Sequence, residues 1–369
     1  MKKIILILCV ITLTGCQKTV PSANMNAPVQ RKKQDTQIIT PTEKEVFDAV
    51  TDIEIGEPDK TYYLNSSKTL FSDKKNRYYY VYKDGRDSAY YVLGRDTDDG
   101  KYFFLENADD FKAYLYRDGV FYGSYRENKF CSYKDGKYTF LKYKEVKDTE
   151  EKEDKKEEQE KNISDFYFTE EYIYFLCRNE TGTEIVRMRY DGSDGESVAY
   201  ISLPIKKYAV YDNRIFYEAD YMKYGVYNIE NSENIILDEG GTGIFSGEYM
   251  YFVSAEHNLY RMNTEDYNCE KLSENVRRIA FYDGYIIYQP YKSYARGDGQ
   301  IYRLGKGENK KIFDAGEILE KDYYYDISVI QADKEKIYIE INSGPYYNYI
   351  AEIDIDGNVI DKIYEHDSV

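Results

Sequence analysis

From Lys60 to the C-terminus one unit recurs about every forty residues: a Tyr-rich strand, a short turn and a second strand. The first strands read Tyr79-Tyr80-Val81, Val120-Phe121-Tyr122, Ile173-Tyr174-Phe175, Ile215-Phe216-Tyr217, Met250-Tyr251-Phe252, Ile286-Ile287-Tyr288 and Ile337-Tyr338-Ile339. The second strands begin at Tyr90, Phe130, Ile185, Val226, Leu259, Ile301 and Ile350, which lie 40, 55, 41, 33, 42 and 49 residues apart. A strand pair cannot bury both of its faces alone, so units of this size stack on their neighbours. A period of about 40–45 residues carrying several short strands marks the blades of a β-propeller.

Turn chemistry extends each pair to four strands, named a to d from the axis outward, with the pairs above as b and c. Asp118-Gly119, Asp212-Asn213 and Asp283-Gly284 precede strand b and tolerate the positive φ of a tight hairpin. Asp135-Gly136, Asp191-Gly192, Thr264-Glu265, Lys306-Gly307 and Asp356-Gly357 follow strand c. Strand a is expected at Ala113–Tyr116, Lys206–Tyr211, Arg277–Tyr282 and Ile327–Gln331, and strand d at Tyr138–Tyr143, Asn234–Leu237 and Lys310–Phe313. The expected fold is all-β: a seven-bladed β-propeller over residues 60–369, behind a flexible N-terminal tether. Six or eight blades are the alternatives, because the innermost strand of the first blade, near Tyr62 to Phe71, is poorly marked. The 45 tyrosines, with no tryptophan, suit wedges between blades: the ring packs on a pleated strand and the hydroxyl reaches a wet margin.

The N-terminus reads as an address. Met1-Lys2-Lys3 is basic, Ile4 to Thr14 is an apolar run too short to span a membrane, and the run ends Leu13-Thr14-Gly15-Cys16. That box resembles the bacterial lipobox, which implies a signal peptide over residues 1–15 and lipid, palmitate included, on Cys16. The membrane is then a partner through lipid alone. An ordinary secretory signal with an incidental cysteine is the alternative. Residues 16–59 hold four of the seven prolines and no strand or helix period, the composition of a flexible stalk. Residues 146–162 are a run of mixed charge, expected as an insertion between two blades. Cys131, Cys177 and Cys269 lack metal-ligand spacing and read as buried strand cysteines, one disulfide with a spare thiol being the alternative.

Net charge is −17, which repels phosphate backbones, so nucleic acid is not an expected partner. Only His257 and His366 could serve a nucleophile–histidine dyad, and both read as structural. No HExxH, phosphate loop or dinucleotide fingerprint is present. Asp191–Glu196 and Asp354–Asn358 are rich in oxygen ligands but lack the closing glutamate of a calcium loop, and hairpin turns account for them. No cofactor, catalytic residue or metal ligand is assigned.

The strands Leu259-Tyr260-Arg261-Met262 and Ile301-Tyr302-Arg303-Leu304, each behind a Tyr-bearing strand b, resemble those of Tyr-rich lipoproteins of Gram-positive bacteria. These carry a propeller domain of unknown function related to low-density-lipoprotein-receptor-like propellers, although the Tyr-Trp-Thr-Asp box of the latter is absent here. The resemblance implies extracytoplasmic binding or scaffolding at the outer face of the cytoplasmic membrane. The expected function is a lipid-anchored binding module for a glycan, peptide or protein. An accessory envelope subunit and a carboxylate-based polysaccharide lyase or hydrolase are the alternatives. In a propeller the b–c and d–a connections share one rim, and the long connections fall there. They carry Tyr291, Tyr294, Arg296, Tyr323, Tyr346 and Tyr347, rings and a guanidinium suited to a binding patch.

Overall fold

The computed structural model describes residues 49–367 except 66–69, 73–75, 84–88, 97, 99–100, 106–110, 126–128, 142–162, 180, 221–222, 292–298, 320–325, 333–335 and 344–346. Cys16, the signal peptide and the charged insertion therefore lie outside the described residues. Four-stranded antiparallel sheets follow one another along the chain over residues 70–104, 111–140, 163–201, 205–237, 244–273, 276–314 and 326–367, here numbered one to seven. Each is a simple meander from strand a to strand d. This is the blade of a β-propeller, in which antiparallel sheets stack face to face and leave only short edges. Every b–c pair expected from the repeat lies in a sheet of its own.

The turns form for the reason their residues suggest. Asp118 and Gly119 take φ of 51° and 80°, Asp212 and Asn213 take 48° and 54°, and Asp283 and Gly284 take 48° and 71°. Positive φ at both central residues matches the twist of the strands they join.

Sheets pack through rings and branched aliphatics. Between sheets six and seven, Ala280, Ile287 and Ile301 meet Ile327, Ile337, Ile339 and Ala351, all essentially inaccessible. Each such isoleucine stabilises the stack by about 1.5–3 kcal/mol. The buried tyrosines are less wet than expected. Tyr217 and Tyr288 are fully buried in strand b, and their hydroxyls donate to Asn234 Oδ1 (2.9 Å) and Asn309 Oδ1 (2.8 Å) on strand d. Burying such a hydroxyl without a partner is costly, so the asparagines go with the rings.

Two features correct the expected architecture. The tether does not extend to residue 59. Ile53 and Ile55 are buried among Tyr251, Leu259, Val276, Phe281, Ile286 and Leu304, so residues 49–59 wedge between sheets five and six. The Val50 amide donates to Leu272 O, Gly307 N to Thr51 O and Asp59 N to Phe245 O. The short helix α1 (Lys60–Asn65) then stands where an innermost strand was sought, leaving sheet one a strand a of three residues, Leu70–Ser72. The ring is also uneven at its axis. Among the described residues the central cavity is walled by strand a of six sheets, two to seven, and not by sheet one.

Cys131, Cys177 and Cys269 form no disulfide; the first two are buried and Cys269 is half-buried. Burial pushes the Cys131 thiol up to about 12, and burial with the nearby Glu239 pushes Cys269 up to about 11. Because the thiolate is the reactive form, Ellman's reagent at mildly alkaline pH should leave Cys131 and Cys177 untouched in the native protein. Cys269 should label slowly, and all three should label rapidly in urea. Prompt native labelling of two thiols would contradict this packing.

Candidate functional site

Strand a of most sheets carries one residue too many. In sheet two Ala113 pairs with Gly123 and Leu115 with Tyr122, leaving Tyr114 as a bulge. The same step leaves Lys206 in sheet four, Arg277 in sheet six and Ser328 in sheet seven. In sheet three Asp165 and Phe166 together oppose Phe175, and Asp165 sits at φ 51°. A β-bulge breaks the ladder, bends the strand and re-aims a side chain. Here it recurs on five innermost strands, and every bulged residue lines the central cavity.

The cavity has a volume of about 820 Å³ and adjoins a deeper pocket of about 210 Å³. Its mouth lies where strands a begin and includes Ser254, Ala255 and His257 from the b–c turn of sheet five. It therefore opens on the rim of the b–c and d–a connections. Helix α1 lies toward the other rim. The Asn65 side chain exchanges two hydrogen bonds with the main chain of Phe168 (2.7 and 2.8 Å), and Tyr62 packs on Phe281 with ring centroids 6.2 Å apart. Tyr62 and Asn65 line the deeper pocket, together with Tyr167, Phe245, Ile279 and Ile330.

The charged groups at the mouth are mostly cations. Lys112 lies 5.4 Å from the Tyr114 ring centroid. Lys206 pairs with Asp220 at 3.2 Å, and Lys207 stands opposite Glu218 in the ladder. Arg277 pairs with Asp326, whose Oδ1 also accepts from Gln289 Nε2 at 3.1 Å. Arg278, half-buried, donates to two neutral acceptors, Gln289 Oε1 (2.9 Å) and Ile327 O (2.7 Å). Burial and then Arg277 push the Arg278 guanidinium down, and the same two causes in the same order hold His257 below its usual value. Asp165 is taken up by Arg178 at 2.6 Å. Tyr208 lines the wall with its hydroxyl buried and lacking a partner of good geometry; burial raises it well above its usual value, while the Tyr167 main chain lowers it.

Of the residues expected to bind, Tyr294, Arg296, Tyr323 and Tyr346 lie outside the described residues. Tyr347 opens strand c of sheet seven, Tyr347–Ile353, on the b–c rim. Tyr291 follows strand b of sheet six, and its half-buried ring stacks on His257 with centroids 3.4 Å apart and planes 10° apart. His257, read from the sequence as structural, is held at φ 64° beside the cavity. The lysines and arginines of strand a carried no signal in the sequence beyond their place near the start of an inner strand. Among the described residues no group of three or more His, Cys, Asp or Glu could hold a metal. The Asp354 carboxylate is engaged by its own turn, through the amides of Asp356 and Asn358 (2.9 and 2.8 Å).

No protein-family profile and no curated protein matches this chain. Solved structures do. The computationally designed Ika8 protein is similar with a TM-score of 0.50 and 13% identity, over 85% of this chain and 90% of that one. A puromycin-hydrolysing peptidase of Mycobacterium tuberculosis is similar with a TM-score of 0.56 and 11% identity, over 87% of this chain and 57% of that one. The β-propeller domain of the Trilobed protease from Pyrococcus furiosus is similar with a TM-score of 0.40 and 11% identity, over 79% of this chain and 82% of that one. This chain thus spans little more than half of the Mycobacterium peptidase. At these identities the likeness is one of architecture alone, and it is the run of stacked four-stranded antiparallel sheets that makes the chain a β-propeller.

Proposed function

We infer that this chain is a binding module, lipid-anchored through Cys16 at the outer face of the cytoplasmic membrane, that receives a partner group in its central cavity. The observation that carries the reading is the bulge repeated on five innermost strands, which turns side chains into one cavity on one rim. Bulges cost ladder hydrogen bonds, and their recurrence where side chains are re-aimed is typical of sites. The Tyr291–His257 stack extends that rim outward with an aromatic surface. Anchoring rests on Leu13-Thr14-Gly15-Cys16, and the described residues contain no helix long and apolar enough to cross a membrane.

Two experiments bear on the two halves. Cys16→Ala should move the protein from the membrane fraction to the medium or stall its processing; wild-type protein that is soluble with an unmodified Cys16 would end the anchoring claim. A photo-crosslinking residue at Tyr291 should yield a discrete adduct in intact cells, while one at Lys134, on the opposite rim, should not. Equal adducts at both positions would remove the preference for this rim.

A further inference from the structure

We propose that the cavity mouth is an anion site, built for a small, multiply charged anion bearing phosphate or carboxylate groups. The proposal rests on the binding-module reading above and names its ligand class. In a chain of net charge −17, the mouth gathers Lys112, Lys206, Lys207, Arg277 and Arg278. They come from strand a of sheets two, four and six, so cationic groups converge on one volume from separate walls. Their compensation is incomplete. Asp326 faces the adjacent Arg277 and Arg278 and binds the first directly, while the second is held by an amide oxygen and a main-chain carbonyl, and burial with Arg277 outweighs the support that Asp326 and Glu340 give its charge.

The other carboxylates do little to reverse the sign. Of the two in the lining, Asp165 is occupied by Arg178, and Glu218 stands against Lys207. The Lys206–Asp220 pair is exposed, with half of the lysine side chain accessible, and such pairs contribute little. The excess charge registers on its neighbours, since Arg277 opposes the protonated forms of both Arg278 and His257. A concave, low-dielectric wall focuses such a field and raises the local concentration of an oppositely charged ligand. Guanidiniums donate in pairs to phosphate and carboxylate oxygens, and lysines act as point charges beside them. At about 820 Å³ the cavity has the size of a small-molecule site.

The test is calorimetric titration of the full chain with pyrophosphate and, separately, with citrate, at low ionic strength. Binding of either anion, weakening as salt rises, is expected, and the better of the two tells phosphate from carboxylate recognition. Lys112→Glu/Lys207→Glu should weaken that binding at least about tenfold, because it replaces two attracting charges at the mouth with two repelling ones. Both side chains are exposed, so the melting temperature should hold. Lys134→Glu, a charge reversal on the opposite rim, should leave the affinity unchanged. Absence of binding by both anions at millimolar concentration would overturn the proposal, as would an equal loss in the Lys134→Glu control. Such a failure, with the Tyr291 adduct retained, would remove the anion class and leave the binding module standing.

Discussion

Tyr62→Ala is expected to destabilise the protein by about 3–5 kcal/mol, the range for deleting a buried aromatic ring. Tyr62 lies in α1 and is 6% exposed, among Tyr251, Phe281, Ile286 and Tyr288 of sheets five and six. Its hydroxyl accepts a hydrogen bond from the Phe281 amide at 3.2 Å, so truncation both opens a cavity and leaves a buried N–H without that partner. Tyr62→Phe keeps the ring and should cost about 1 kcal/mol. Equilibrium unfolding in urea measures both. A Tyr62→Ala midpoint within about 1 kcal/mol of the parent would mean that α1 is dispensable to the stack.

Gly357→Ala is the second large effect. Gly357 sits at φ 87° in the c–d turn of sheet seven, and an added Cβ would lie 1.6 Å from Ile312 O in sheet six. Neither half of this conflict relaxes easily. The turn is held by the Asp354 carboxylate, and burial, which would raise that group, is outweighed by hydrogen bonds from Asn358, Asp356 and Gly357 that keep it below the usual carboxylate range. Arg303 on strand c of sheet six grips the same turn through Asp356 Oδ1 (2.7 Å) and Ile355 O (3.0 Å). Left-handed backbone and overpacking together should cost about 2–5 kcal/mol in urea unfolding. Alanine at Gly119 is the control: its φ of 80° is similar, but nothing lies within 4 Å of the added Cβ. A loss at Gly357 no larger than at Gly119 would assign the whole effect to backbone conformation and none to sheet docking.

Asp118-Gly119, Asp212-Asn213 and Asp283-Gly284 were legible because a hairpin turn is a local event, decided by which residues accept positive φ. The b–c strand pairs were legible for a similar reason, since alternating rings and aliphatics bounded by turns have one economical local structure. Ile53 and Ile55 were missed because two isolated isoleucines in a Pro-bearing stretch have no period. Their burial exists only once sheets five and six leave a groove to receive them. The axis was missed on the same grounds: Leu70–Ser72 is three residues long, and α1 makes sense only against the inner strands it touches.

The site divides along the same line. Length, spacing and turn residues suffice to specify repeating four-stranded sheets and the rim on which the long connections fall, because those depend on neighbours a few residues away. Which side chains enter the cavity depends on a one-residue mismatch between strands a and b, as at Lys206 between Ile205 and Lys207, and a bulge leaves no mark in composition or period. The approach of Lys112, Lys207 and Arg277 from different sheets, the seating of Arg278 on neutral acceptors and the Tyr291 ring over His257 join residues far apart in the chain. The sequence by itself determined the blade and its rim; only tertiary structure, by stacking blades about a common axis, decided what that rim encloses.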